Sequence, residues 1–440
     1  MNGWRVMFSR RRFLGASGVG ILAAASANMV YGNNSVPIFG DRKDSRLERL
    51  RNIKDQKNRL LGYPVNMNYP QKGFFEWRRK LNEVGVDQFA FNNVGNPYRT
   101  SPIPYSTHDF ERDTIASFGD LYCFPTTDRW GFISHSGTDS NMHGMYLGRT
   151  VLRERTGKMP VAYLTAEAHY SVQILCDLMN LERVVVGTNH DGSMNSDDLD
   201  RHLKSNSSHP ALVVATIGTT FKGAVDRLDE IKSCLVGKAS YVHLDAALFG
   251  GYLPHTDFAS EVAYESENSQ SGCRYHSIAV SCHKFFGFPA PAGLFITTKS
   301  LYEEFNKAFS KIHNPEYIHQ VPGTITCSRD SVKAAEFFYF TRPESRTRQW
   351  NDARQMLDNA AYLLESMQAK APHLSPVRSN QMSNTIYFRD PGKAIVDKYS
   401  LATMNLLVKG KHLRHAHAIV MPHVNKQIID EFIVDLKSLK

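Results

Sequence analysis

Short apolar runs separated by helix-length segments fill the middle of the chain and constrain its fold more than any other feature. They are rich in the β-branched residues that favour strands buried on both faces. Because each run is followed by a segment long enough for a helix, the pattern predicts an α/β fold, with a largely parallel sheet covered by helices on both faces. The five runs lie between residues 161 and 282 and read VAYLT, RVVVG, ALVVATIG, YVHLDAALFG and IAVSC.

The pattern changes after about residue 330. A long helical stretch is followed there by two short strand-like runs, NTIYFRD and HAHAIVMP, and by a last helical pattern, NKQIIDEFIVDLKSL. This order predicts a small α+β domain over residues 331–440. It leaves a large domain over residues 96–330 and a polar, partly helical N-terminal segment over residues 28–95.

The N-terminus has the features of a twin-arginine signal peptide. Ser9 and three arginines are followed by Phe13 and Leu14, then by a mildly apolar stretch that ends in Ala-Ser-Ala at residue 27. A basic region, a short apolar region and a small-residue cleavage site in this order predict a signal peptide over residues 1–27. We therefore expect a periplasmic or secreted protein. The alternative is a basic start followed by a short buried helix, and the protein would then be cytoplasmic.

Composition narrows the classes of function. The 440 residues are 42% hydrophobic, which allows a large core. The formal net charge is +9, but the basic residues are scattered, so we expect no nucleic-acid partner. No apolar run approaches the roughly 20 residues of a membrane span, so we expect no stable membrane anchor. The six cysteines form no CxxC pair and predict neither a disulfide scaffold nor a zinc site.

Polar side chains follow several of the strand-like runs. Ser136, Gly137 and Thr138 precede a helical pattern, where free N–H groups and the helix dipole can hold an anion. The same residue types also cap helices that bind nothing. His169 follows another run. A histidine at such a position can be a surface residue or a functional one. Asp245 ends a run at the edge where α/β sheets bind ligands, although a carboxylate there can equally cap a helix.

Lys284 lies between an apolar run and a turn rich in Gly and Pro. Burial lowers the pKa of a lysine, and the neutral amine is a nucleophile toward carbonyl compounds. A ligand that carries a carbonyl group would explain a lysine at this position.

The order of these features resembles that of the pyridoxal-phosphate-dependent decarboxylases of the aspartate-aminotransferase fold, called fold type I. Within that group the chain is most similar to the bacterial histidine decarboxylases and the plant serine decarboxylases, from about Tyr63 to Leu436. The resemblance implies a large domain with a mostly parallel seven-stranded sheet and a small C-terminal α+β domain. The segments that carry it are FNNVGNPY, HDFERD, WGFISHSGTDSNMHGMYLGR, AHYSV, IGTTFKGAVD, HLDAALFGGYLP, SCHKFFGFPAPAG, TITCSR and HAIVMPHV.

The resemblance also implies roles for individual residues. Lys284 would form the Schiff base with the cofactor, Asp245 would pair with the pyridine nitrogen, and His169 would stack on the ring. Tyr317, in a loop after Lys284, would return a proton to the substrate. The other cofactor-binding residues implied are Ser136, Gly137, Thr138, Thr220, Ala247, Ser281 and His283.

The function implied is decarboxylation of an L-amino acid, with histidine as the first substrate to consider and histamine as its product. Serine or aromatic amino-acid decarboxylation on the same fold is an alternative, as is an exported pyridoxal-phosphate-binding protein without turnover. The resemblance further implies a homodimer or higher homo-oligomer. A metal site at His412, His415, His417 and His423 is a weaker hypothesis, because no acidic or cysteine partner lies nearby in sequence.

Overall fold

The computed structural model describes residues 45–264, 273–408 and 410–437. The predicted signal peptide, residues 1–27, lies outside the described residues. The chain divides into two compact units, residues 1–52 and 53–440. The described part of the first unit is the beginning of helix α1, Ser45–Asp55, and everything below concerns the second unit.

A seven-stranded sheet forms the centre of the second unit, and its strand order is β1-β7-β6-β5-β4-β2-β3. Six strands run parallel to one another, and β7 is antiparallel to both of its neighbours. The predicted mostly parallel, seven-stranded α/β fold is therefore confirmed. The strands are β1 (Trp130–Ser134), β2 (Val161–Thr165), β3 (Arg183–Val186), β4 (Ala211–Thr216), β5 (Ser240–Asp245), β6 (Ser277–Ser281) and β7 (Gly293–Thr297).

The sheet separates two apolar layers. Along β4, Ala211 and Val213 belong to one core cluster, and Leu212 and Val214 belong to the other. This alternation follows from the period of two residues in a strand, and it explains why the runs are apolar throughout. The helices that accompany the sheet are α2 (Lys72–Glu83), α3 (His108–Leu121), α4 (Gly137–Thr156), α5 (Tyr170–Leu178), α6 (Ser196–Ser205), α7 (Leu228–Cys234), α8 (Lys299–Ser310) and α9 (Ser331–Phe337).

A second, three-stranded antiparallel sheet lies near the C-terminus, in the order β8-β10-β9. It confirms the small C-terminal sheet, while the exact domain boundaries at residues 95 and 330 stay predictions. Among the described residues, no helix combines the length and the apolar character that crossing a membrane requires. The elements of this region are α10 (Pro343–Lys370), β8 (Thr385–Arg389), α11 (Lys393–Lys398), β9 (Ala402–Val408), β10 (Lys411–Ile419) and α12 (Lys426–Lys437).

Helix α4 packs closely on the centre of the large sheet because two of its residues lack side chains. A Cβ atom on Gly144 would stand 2.3 Å from the ring of His243, and one on Gly148 would stand 2.6 Å from the ring of Tyr241. Both neighbours lie on β5. The close contact places the N-terminus of α4 at the edge of the sheet where β5 ends.

Candidate active site

The carboxyl ends of strands β1, β2, β4, β5 and β6 meet at one edge of the large sheet, since these strands are parallel. A cavity of about 510 Å³ opens at this edge, where α/β sheets bind their ligands. Every residue predicted to bind the cofactor lines it. They are Ser136, Gly137, Thr138, His169, Thr220, Asp245, Ala247, Ser281, His283 and Lys284.

One end of the cavity is built to hold an anion. Ser136 caps the 20-residue helix α4 by accepting a hydrogen bond from the Asp139 N–H at 3.2 Å. The N–H groups of Gly137 and Thr138, at the beginning of the helix, have no acceptor among the described residues. A Cβ on Gly137 would stand 2.5 Å from Ser281 Oγ, so only glycine leaves this space open. Free N–H groups at a helix N-terminus fit a phosphate.

Asp245 ends β5 with its carboxylate against the cavity. The residue is buried, and its Oδ1 accepts a hydrogen bond from the Ala247 N–H at 3.1 Å. Thr216 is its paired neighbour on β4 and also lines the cavity. A carboxylate fixed in this way can hold a proton on a nitrogen of a bound heterocycle.

Lys284 follows β6, and its main-chain carbonyl accepts from the Asn66 N–H at 3.3 Å. Its Nζ has no hydrogen bond or ion pair with any described residue. Burial lowers the pKa of this amine, and the negative charge of Asp245 opposes the shift in part. A larger fraction of Lys284 is therefore neutral than at a surface lysine, and a neutral amine can bond to an aldehyde.

His169 caps helix α5 through its own ring. Its Nδ1 accepts from the Ser171 N–H at 3.3 Å and lies 2.8 Å from Ser171 Oγ. Burial lowers the pKa of His169; the charge of Asp245 raises this pKa and that of Lys284 lowers it further. The ring is therefore mainly neutral near pH 7. Because Nδ1 accepts a hydrogen bond, the proton of the neutral ring is on Nε2.

The cavity also contains residues that the sequence did not mark as part of the cofactor site; one of them, His417, had been considered only as a metal ligand. Asn141, Tyr63, Phe221 and His417 line it together with Thr216. Thr216 ends a strand and could have been found by that signal. The others come from a helix interior, a connecting segment, a loop and the C-terminal sheet, and no local pattern marks them.

The structure does not place Tyr317 in the cavity of its own chain, where the prediction had grouped it with the catalytic residues. Tyr317 lies in a short 3-10 turn, Glu316–Ile318, and 83% of its surface is exposed. This segment follows the end of α8 and runs over the protein surface, which separates Tyr317 from Lys284. Its role as a proton donor stays a prediction.

The histidines proposed as a metal site make other contacts. Both ring nitrogens of His417 lie near main-chain carbonyl oxygens, 2.9 Å from that of Phe221 and 3.1 Å from that of Gly62. His423 Nδ1 accepts from the Met67 N–H at 3.2 Å. Within the part of the chain that the structure describes, no group of three or more His, Cys, Asp or Glu residues could hold a metal ion.

The cavity fits pyridoxal phosphate in three independent respects. The beginning of α4 offers unpaired N–H groups to a phosphate, and Gly137 leaves the space for it. Asp245 presents a fixed carboxylate to a ring nitrogen. Lys284 presents an unpaired amine of lowered pKa to an aldehyde.

Comparison with known proteins agrees with this geometry. Residues 133–389 match the model of the pyridoxal-dependent decarboxylase conserved domain, which is more than half of the chain. The histidine decarboxylase of Solanum lycopersicum is 29% identical over 395 residues, which cover 88% of this chain and 86% of that protein. Serine decarboxylase 1 of Oryza sativa subsp. japonica is also 29% identical, over 88% of this chain and 73% of its own length.

Among solved structures, the L-methionine decarboxylase of Streptomyces sp. 590 superposes with a TM-score of 0.75 at 21% identity. The superposition covers 91% of this chain and 96% of that structure, so the two proteins share a fold. The chain therefore belongs to the pyridoxal-dependent decarboxylase family, with pyridoxal phosphate as its cofactor and an amino acid as its substrate.

Proposed function

We propose that the protein removes the carboxylate of an L-amino acid with an uncharged side chain, and that L-histidine, which would give histamine and CO₂, is the first substrate to test. The observation that carries the proposal is the convergence of Lys284, Asp245 and His169 on one cavity. At its end lie the unpaired N–H groups of Gly137 and Thr138, which we call the anion cradle. These are the groups that a pyridoxal-phosphate decarboxylase requires.

The residues of the cavity have separate tasks. Bound pyridoxal phosphate supplies an aldehyde and a ring that withdraws electrons. Lys284 would bond to that aldehyde, and burial lowers the pKa of its amine so that a larger fraction is neutral than at a surface lysine. Asp245 would keep a proton on the ring nitrogen, and the N–H groups of Gly137 and Thr138 would hold the phosphate. His169 presents an imidazole with its proton on Nε2.

Loss of CO₂ is favoured where the departing carboxylate is poorly hydrated. Phe221, Leu248, Pro291 and Ile419 form apolar parts of the cavity wall and limit the water around it. An anion gains from becoming neutral CO₂ in such surroundings. We assign the return of a proton to the substrate carbon to His169, through Nε2, with water or Tyr317 as the alternatives.

The charges of the cavity support a substrate with an uncharged side chain. Among its lining residues, Asp245 is the only carboxylate and Lys284 the only lysine or arginine. Both are assigned to the cofactor, so the described lining residues offer no further fixed charge to an acidic side chain or to a basic one. Histidine, serine, methionine and the aromatic amino acids all meet this condition.

Histidine stands first because the histidine decarboxylase of Solanum lycopersicum resembles the chain over 88% of its length. Serine is the second candidate, since a serine decarboxylase is equally identical. A pocket contact distinguishes such side chains by only about 1–3 kcal/mol, so substrate identity must be measured.

The test is a screen of the twenty amino acids for CO₂ release by the protein reconstituted with pyridoxal phosphate. Lys284→Ala should abolish release, and Lys299→Ala, an exposed lysine on α8, should leave it unchanged. Histamine formed from histidine supports the proposal. Release of CO₂ from serine or an aromatic amino acid instead would change the substrate assignment but support decarboxylation. Cofactor binding without release from any amino acid contradicts decarboxylation and favours a binding protein without turnover.

We also propose that the protein is exported by the twin-arginine route and forms a homodimer. The signal-like N-terminus supports export, and the family resemblance supports the dimer. Sedimentation of the protein with and without cofactor would measure the oligomeric state, and a monomer under both conditions would contradict the second proposal.

A further inference from the structure

Four buried polar side chains form a hydrogen-bonded chain from the middle of the sheet to the cavity wall. The Tyr241 hydroxyl lies 2.7 Å from Ser277 Oγ, and Ser277 Oγ lies 2.8 Å from His243 Nδ1. His243 Nε2 lies 3.0 Å from Asn141 Oδ1. Tyr241 and His243 belong to β5, Ser277 to β6 and Asn141 to α4. The last of the four residues lines the cavity.

The donors and acceptors of this chain can be assigned in order. Asn141 Oδ1 can only accept, so His243 Nε2 is the donor to it; Nδ1 of the neutral ring then accepts from Ser277 Oγ, which in turn accepts from the Tyr241 hydroxyl. Burial lowers the pKa of His243 to about 3, so the ring is neutral. With Nδ1 as an acceptor, the ring carries its proton on Nε2 and donates it to Asn141 Oδ1.

Packing holds this arrangement in place. A Cβ on Gly144 would stand 2.3 Å from His243, so α4 lies directly on the imidazole. All four side chains are at most 2% exposed. Buried polar chains of this kind are rigid when every member has its partner.

The assignment fixes which side of the Asn141 amide is available to a ligand. Its Oδ1 is occupied by His243, whereas its Nδ2 has no acceptor among the described residues. Asn141 lies one helical turn after Gly137 on the same helix, and both line the cavity. An unpaired amide donor and the unpaired N–H groups at the beginning of α4 therefore line the same cavity.

We propose that Asn141 is a cofactor-binding residue that donates a hydrogen bond from Nδ2 to a phosphate oxygen of pyridoxal phosphate, and that Tyr241, Ser277 and His243 are positioning residues that keep its amide in this orientation. The proposal rests on the cofactor and not on which amino acid is the substrate. It can therefore fail or succeed independently of the histidine assignment.

The test compares the Kd values of the apoprotein for pyridoxal phosphate and for pyridoxal, which lacks the phosphate. Asn141→Leu should weaken the affinity for pyridoxal phosphate about 10-fold or more, since a hydrogen bond to a charged group is lost. The affinity for pyridoxal should change less than about twofold. Asn141→Asp should weaken pyridoxal phosphate further, because a carboxylate would face the phosphate. Unchanged affinity for pyridoxal phosphate, or equal losses for both ligands, would overturn the proposal.

The positioning role is tested at Tyr241, the residue of the hydrogen-bonded series that is farthest from the cavity. Tyr241→Phe removes the hydroxyl that orders the proton donors, and we expect the ratio of the two Kd values to change about threefold. Tyr275→Phe is the matched control, because it loses a hydrogen bond of the same 2.7 Å length from a buried tyrosine to the main-chain oxygen of Val262. Both variants lose stability, but only the first should alter the ratio. An unaltered ratio in Tyr241→Phe would refute the positioning role.

Discussion

Gly137 lies so close to Ser281 that a Cβ on the glycine would stand 2.5 Å from the serine Oγ. The two residues come from the beginning of α4 and the end of β6, which are more than 140 positions apart in sequence and meet at the anion cradle. The contact explains why a glycine precedes Thr138 and makes the cradle sensitive to a single methyl group.

Gly137→Ala should weaken binding of pyridoxal phosphate by about 10-fold or more, because the added methyl group displaces Ser281 or narrows the cradle. The affinity can be measured by titration of the apoprotein. The double variant Gly137→Ala, Ser281→Ala removes the crowded hydroxyl and should recover part of the loss. If the double variant binds no better than Gly137→Ala, crowding against Ser281 is not the cause.

Borohydride reduction of the reconstituted protein near pH 7 should attach the cofactor to Lys284 in preference to surface lysines. The reason is that burial lowers the pKa of Lys284, so its amine is neutral at a lower pH than an exposed amine. Peptide mapping by mass spectrometry locates the label, and Lys299, which is 58% exposed, serves as the internal comparison. A label spread evenly over both lysines would contradict the assignment.

Asp245→Asn should lower kcat on the order of 100-fold or more while the protein still binds the cofactor. The amide has nearly the same size and can keep a contact with the Ala247 N–H, but it has no charge with which to hold a proton on the ring nitrogen. Steady-state kinetics and a cofactor titration measured together separate the two effects. A kcat within a few-fold of the wild-type value would contradict a role for the Asp245 charge in the reaction.

His143→Phe should make the stability of the protein less dependent on pH. His143 is buried against Trp130, Phe132 and Phe295, its ring nitrogens have no hydrogen-bond partner among the described residues, and burial lowers its pKa to about 3. The unfolded chain binds a proton at this residue near pH 6.5 and the folded chain does not. The contribution of neutral His143 to the free energy of unfolding is therefore fully present above pH 6.5 and is lost as the pH falls from there toward 3.

Between pH 7.5 and pH 5 this histidine alone should account for about 2 kcal/mol of lost unfolding free energy. Urea unfolding of the wild type and of His143→Phe at both pH values measures the difference. Equal losses in the two proteins would show that His143 is not responsible.

Replacement of Arg10 and Arg11 by lysine should retain the protein in the cytoplasm of a bacterial host, because the twin-arginine route requires both arginines. Cell fractionation and immunoblotting measure the distribution. The Arg5→Lys variant is the control, since Arg5 lies before the motif. Export that is unaffected by the paired change would argue for another route or for a cytoplasmic protein.

The order of apolar runs and helical segments predicted the α/β fold, and the resemblance carried by the motifs implied the cofactor. Apolar runs that alternate with helices favour a largely parallel sheet, and the carboxyl ends of parallel strands meet at one edge. His169 and Lys284 each follow such a strand and Asp245 ends one, so the chain order places all three at the same edge. The N-terminus of a helix that begins at Gly137 had to offer free N–H groups.

Only the tertiary structure decided which other side chains complete the cavity. Asn141 and His417 lie there because α4 crosses β5 and the C-terminal sheet closes one side, and neither contact leaves a periodic signal in the sequence. Tyr317 shows the converse: its place in the chain suggested catalysis, but packing leaves it 83% exposed. Secondary structure follows from local patterns, whereas the walls of a site depend on contacts between distant segments, and those contacts set which amino acid can bind.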